Sequence, residues 1–154
     1  MKTEVFISHK DLTNILLDIY VKIIDSGVFI LEISFKGGCR EVGRSGLLVN
    51  GEILLDYGIK AGDIPEYPQN GMDPKAVLVS HGHLHHCGAV PNLMYPNPHV
   101  FMTPPTADFT LLLGRDTLKL AESTLSGAAP FDPEDLQKLA HRTKKKDYCE
   151  AFKT

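Results

Sequence analysis

The sequence has few cysteines, no long uncharged apolar run and no excess of basic residues. Its three cysteines, Cys39, Cys87 and Cys149, lie far apart, show no Cys-x-x-Cys and cannot close into a full set of disulfides. That usage fits a reducing, cytoplasmic compartment and not a disulfide-built scaffold. The longest apolar stretch, residues 12–35, is broken by Asp18, Lys22, Asp25 and Glu32. A membrane span needs about 20 largely uncharged residues, so the chain reads as soluble, with no membrane contact. The N-terminus lacks the apolar core and small-residue cleavage site of a secretory leader. Lys and Arg number 16 against 19 Asp and Glu, for a net charge of −3. A globally basic nucleic-acid coat is thereby excluded, and any contact with nucleic acid must be local. There is no internal repeat and no low-complexity segment. The absence of Gly-x-Ser-x-Gly argues against a serine hydrolase of that type. The glycines of residues 37–45 fit neither GxxxxGK[ST] nor GxGxxG.

What is present is enough for one domain with a core: 154 residues, 43% apolar, with 7 Phe and 5 Tyr. This composition also excludes a disordered chain, a collagen-like repeat and a coiled coil. Leu12, Ile15, Leu16, Ile19, Ile23 and Ile24 recur at helical spacing, which predicts an amphipathic helix over residues 11–25, capped by Asp11 and ended near Gly27. Residues 1–28 are accordingly read as an N-terminal helical extension. Leu31, Ile33 and Phe35 alternate with Glu32 and Ser34 as in a half-exposed strand. Leu47–Val49 and Ile53–Leu55 flank Asn50-Gly51, a hairpin signal because both turn residues tolerate positive φ, and Asp56 closes the second strand. A long Gly- and Pro-containing loop spans residues 57–75. Ala76–Val79 reads as a buried strand, residues 88–94 as a short helix and His99–Met102 as a further strand. Thr106–Glu122 has a helical pattern, and another helix starts at Asp132 with Pro133 and Asp135 behind it. The order defines an α/β chain.

The sharp feature is His81-Gly82-His83-Leu84-His85-His86, four of the chain's seven histidines, at the end of an expected buried strand. Imidazole is the commonest protein ligand for zinc. Histidines two apart on an extended segment point the same way, so His81 and His83 can grip one ion; His86 lies round the turn and can serve the same ion or another. Gly82 and Gly88 would let the backbone fold tightly around it.

Ser80-His81-Gly82-His83-Leu84-His85-His86-Cys87-Gly88 resembles the His-x-His-x-Asp-His loop of the metallo-β-lactamase superfamily. Residues 37–45 (GGCREVGRS), then Leu54-Leu55-Asp56-Tyr57-Gly58, then Thr103-Pro104-Pro105-Thr106, resemble its β-CASP branch, which includes RNase J and archaeal mRNA 3′-end processing-factor-like exonucleases. The resemblance runs over about residues 29–152. It implies the first half of an αββα sandwich, which the helix read from the spacing over residues 11–25 would precede, and a pair of zinc ions that activate water for attack on an RNA phosphodiester. His81 and His83 match ligands of the first metal and His86 a ligand of the second. Asp56 matches the first-motif aspartate, which supports the site by hydrogen bonding.

This chain departs from the family pattern at two places. His85 stands where the family has the aspartate that ligates the second metal and holds the attacking water. A neutral imidazole can ligate zinc but supplies no negative charge, so weaker second-metal occupancy and low or altered activity are expected. Asp56 and His85 are thus the candidate catalytic residues, and His81, His83, His85 and His86 the candidate metal ligands, with one zinc ion or fewer expected for this chain alone. The family's Ala-Gly-His motif, bridging aspartate and distal histidine are not found, and His141 lies on an expected helix in the wrong context. Residues 29–154 are therefore read as a truncated domain whose open apolar faces and strand edges invite a homodimer or a companion chain.

Other features have plainer readings. Arg40 and Arg44 read as salt-bridged members of a tight inter-strand loop, with Glu41 as a partner. Arg142, Lys144, Lys145 and Lys146 read as the solvated end of a helix, where the dipole favours cations. Cys87 reads as a small packed residue. Three functions stay open at this point: a metal-dependent phosphodiesterase acting on RNA, a non-catalytic partner or RNA-binding module, and a structural zinc site, which would need four closed ligands.

Overall fold

The structure is a computed structural model that describes residues 2–9, 17–24, 28–95, 97–123 and 129–149, with side chains described from residue 31 onward. Among these residues eight strands form one mixed sheet in sequence order: β1 (Lys2–His9), β2 (Leu17–Ile24), β3 (Val28–Gly37), β4 (Gly46–Val49), β5 (Ile53–Leu55), β6 (Ala76–Leu78), β7 (His99–Met102) and β8 (Thr143–Lys145). β1 to β5 run antiparallel to their neighbours, and β5 to β8 run parallel. The helices are α1 (Leu84–Cys87), α2 (Pro104–Ser123) and α3 (Pro133–Arg142), with a 3-10 turn at Val90–Leu93. None of the described helices is long and apolar enough to cross a membrane.

Several expected elements are in place. The β4–β5 hairpin turns at Asn50 and Gly51, whose φ values are +50° and +70°. The Asn50 side chain also accepts from the Glu32 backbone N–H at 2.8 Å, tying the turn to β3. β7 matches its expected span. α3 starts in a capping box: Asp132 accepts from the Asp135 N–H at 2.9 Å, and Asp135 accepts from the Asp132 N–H at 3.2 Å.

Three expectations are corrected. The helix over residues 11–25 is not found where the chain is described: Leu17–Ile24 is a strand paired with β1 and β3. Residues 11–16 and 25 of that expected helix lie outside the described residues. Leu17, Ile19, Val21 and Ile23 recur with period two as well, and a run holding four β-branched residues and a tyrosine favours a strand when β3 is there to pair with it. The short helix expected at residues 88–94 is a 3-10 helix over Val90–Leu93, and a separate α-helical turn, α1, precedes it inside the histidine cluster. Only the first residue of the basic run ends a helix: Arg142 closes α3, but Thr143–Lys145 pairs with β7, and the Lys146 N–H bonds the Met102 carbonyl at 3.0 Å. Hydrogen bonding to an open parallel edge outweighs the helix-end preference of those cations.

The core lies on one face of the sheet. Leu48, Leu54, Val77 and Val100 stand in register on successive strands and are buried with Met102, Leu136 and Leu139 under α2 and α3. The parallel strands β5 and β6 end at the same level, and the site begins where they end.

Candidate metal centre

Asp56 follows the last residue of β5 and holds a left-handed conformation, φ +60°. Aspartate tolerates that region better than most residues. The turn sends its carboxylate across to the end of β6, where Oδ1 accepts from the Ser80 backbone N–H at 2.7 Å and Oδ2 from the Ser80 hydroxyl at 2.9 Å. Oδ2 also meets His86 Nδ1 at 2.9 Å, with the Asp56 side chain only 15% exposed. Asp56 thus hydrogen-bonds both the end of β6 and His86.

The four imidazoles come together. The His81 and His83 rings flank a bend at Gly82 and are near parallel, 11° apart, with centroids 6.1 Å apart. The His81 and His86 centroids are 4.1 Å apart, and those of His83 and His85 are 4.7 Å apart. His85 Nδ1 lies 2.8 Å from the Ile59 carbonyl oxygen. A carbonyl only accepts, so Nδ1 carries the proton and Nε2 the lone pair. The same logic at the Asp56 carboxylate leaves Nε2 of His86 as a donor to metal.

Imidazoles oriented by a carboxylate and a carbonyl are donors of the kind that late first-row metals accept. The set is not closed: among the described residues no group of three or more His, Cys, Asp or Glu side chains stands in a metal-holding arrangement. A bound ion would have to draw the rings together.

The loop rests on a backbone frame that residue types alone did not reveal. Residues 57–59 run against α1, with the Tyr57 N–H bonding the His86 carbonyl at 2.8 Å and the Ile59 N–H bonding the Leu84 carbonyl at 3.0 Å. The Ser45 N–H bonds the His85 carbonyl at 3.0 Å. Gly58 makes this approach possible, since a Cβ there would stand 1.7 Å from the His85 carbonyl oxygen. Gly82 and Gly88 also sit in close contacts: a Cβ on Gly82 would meet Phe109 at 2.6 Å, and one on Gly88 would meet Leu84 at 2.7 Å. The Ser80 hydroxyl, directly before the first histidine, is a further member of this hydrogen-bonded set.

The loop at residues 37–45 is held as an ion network. Glu41 bonds Arg44 at 2.5 Å and Lys60 at 2.7 Å, and Lys60 reaches Glu66 at 2.8 Å. Hydrogen bonds from Lys60 and then Arg44 hold the Glu41 carboxyl below its ordinary value, and the bond to Glu41 raises Lys60. Arg44 is thus salt-bridged as expected. Cys87 is fully buried, and that burial pushes its thiol up. Arg142 bonds Asn97, and Lys145 bonds Asp108 at 3.1 Å.

No protein-family model matches the chain. Curated relatives do. It is 38% identical to an RNase J-like protein of Methanocaldococcus jannaschii over 110 residues, 68% of this chain and 24% of that protein. It is 35% identical to the transcription termination factor FttA of the same organism over 145 residues, 84% of this chain and 22% of that protein. For FttA of Pyrococcus horikoshii the figures are 32% over 143 residues, 78% and 21%. The chain is a relative of the β-CASP group of metallo-β-lactamase proteins. It corresponds to their N-terminal part and spans about a quarter of the length of the curated relatives it matches.

Proposed function

We propose that this chain carries the metal-binding loop of a β-CASP-type hydrolase whose substrate is an RNA phosphodiester and whose metal is zinc. The observation that carries the reading is the Asp56-organised histidine cluster at the ends of β5 and β6. His81, His83 and His86 would hold the ion, with His85 as a neutral fourth donor. Bound zinc lowers the pKa of water and offsets charge on the phosphoryl group. The chain's own residues do the rest: Asp56 orients His86, and the Ile59 carbonyl orients His85. Action on RNA draws on the names of the relatives, an RNase J-like protein and a termination factor, and cytoplasmic location on the scattered cysteines, which are free where described.

The same reading makes this sheet the first half of an αββα sandwich. Phe35, Leu47 and Leu78 lie in one register row on the face away from the core and are only half-buried, and Leu55 beside them is 38% exposed. A companion chain or a second copy would cover that face. One observation favours a second reading, a non-catalytic RNA-binding or partner module. Position 85 holds an imidazole bonded to the fold at Ile59 in place of the charged ligand.

Native mass spectrometry of the purified chain beside a His85→Asp variant separates the two. Zinc retained by the wild type, with more on the variant, upholds the metal site and identifies position 85 as the weak point. Zinc on neither overturns the metal reading and leaves the interaction module.

A further inference from the structure

We propose that Ser80 is a positioning residue that relays the hold of Asp56 to His81, fixing the tautomer of an imidazole that the carboxylate itself does not bond. Its significance for metal binding rests on the function proposed above; the relay itself does not.

The argument is a count of protons. The Ser80 hydroxyl lies 2.9 Å from Asp56 Oδ2 and 3.0 Å from His81 Nδ1. A carboxylate oxygen has no proton to give, so the single hydroxyl proton of Ser80 goes to Asp56. Toward His81 the hydroxyl oxygen can then only accept. His81 Nδ1 must carry the proton, and Nε2 is left with the lone pair. Asp56 therefore sets the tautomer of His86 directly and that of His81 through one hydroxyl. The two rings so fixed are those whose centroids lie 4.1 Å apart.

The backbone does not need this hydroxyl. The turn after β6 is already held by the Ser80 N–H on Asp56 Oδ1 at 2.7 Å, and Ser80 is exposed, so removing its oxygen opens no cavity. The neutral histidine side chain in water prefers its proton on Nε2. Without the relay, His81 should revert to that form and present its proton where a metal would sit.

The test uses the metal-free, 15N-histidine-labelled chain at mildly alkaline pH, where free imidazole is neutral. Long-range 15N–1H correlation reads each tautomer. In the wild type, His81 and His86 should both be protonated on Nδ1. In Ser80→Ala, His81 should move to Nε2–H while His86 stays unchanged, and Ser80→Thr should restore His81. Titration with zinc should then show affinity weakened about 10-fold to 100-fold in Ser80→Ala and recovered in Ser80→Thr. An unchanged His81 tautomer in Ser80→Ala overturns the relay. So does a joint shift of His81 and His86, which would mean a general loosening of the loop. A clean switch of His81 in a chain that binds no zinc upholds the relay and sinks the metal reading instead.

Discussion

Gly58→Ala should cost this chain several kcal/mol, although the added group is one methyl and the backbone φ is ordinary. The Cβ would stand 1.7 Å from the His85 carbonyl oxygen, 2.0 Å from its carbon and 2.6 Å from the His86 nitrogen. A comfortable carbon–oxygen contact is about 3.3 Å, so the two segments must part by about 1.6 Å. All three obstructing atoms are backbone, and no rotamer change relieves them. The bonds in the way are Tyr57 N–H to His86 at 2.8 Å, Ile59 N–H to Leu84 at 3.0 Å, Ser45 N–H to His85 at 3.0 Å and His85 Nδ1 to Ile59 at 2.8 Å. Parting of that size breaks each of them, and at about 1 kcal/mol net per bond the loss is about 4 kcal/mol. That is a large share of the roughly 5–15 kcal/mol that holds a domain together. Gly62→Ala is the control. Its Cβ would meet only the Ile64 carbonyl oxygen, at 3.7 Å, so the change should be neutral or stabilise by up to about 1 kcal/mol through the unfolded chain. Urea unfolding with linear extrapolation measures both. A Gly58→Ala variant within about 1 kcal/mol of wild type would refute the claim that residues 57–59 form the backbone frame of the histidine loop.

The ion network should show in acid. Glu41 is held below its ordinary carboxyl value of 4.5 by Lys60 and Arg44. Its contribution is therefore full above that value and is lost as pH falls through the lower, folded one. Glu41→Gln should be less stable than wild type at neutral pH, and the gap should close only well below pH 4.5. A gap independent of acid would assign the loss to packing. At the other end of the chain, Asp132→Ala removes the α3 cap and should cost about 1 kcal/mol, read as a lowered urea midpoint with unchanged slope.

How much could be read from residue types follows from what each element depends on. The β4–β5 hairpin and the start of α3 are local: Asn50-Gly51 supplies its own positive φ, and Asp132 and Asp135 cap one another. Such elements need no partner to be recognised. Leu17–Ile24 does need one. Its apolar residues satisfy both the 3.6 and the 2.0 period, and pairing with β3 decides between them. The site divides the same way. Asp56 and the histidines carry their chemistry in their side chains and were legible. The Ile59 carbonyl, the Ser45 N–H and the need for glycine at position 58 are backbone matters between segments up to 40 residues apart, and no residue type announces them.

Position 85 is where local chemistry and fold pull against each other, and His85→Asp exposes the conflict. The imidazole donates from Nδ1 to the Ile59 carbonyl at 2.8 Å. An aspartate is shorter and, when ionised, has no proton to donate. The substitution therefore strips a half-buried carbonyl of its partner, at a cost of about 1 kcal/mol in the metal-free chain. On the function proposed above, it also places a negative charge among the imidazoles and should strengthen metal binding. The two effects have opposite signs and separate cleanly. Without metal the variant should unfold at lower urea than wild type; with zinc in excess the order should reverse, since binding to the folded state adds stability by mass action. A variant less stable under both conditions would mean that histidine at 85 serves the fold alone and that this loop does not gain a metal ligand from an aspartate there.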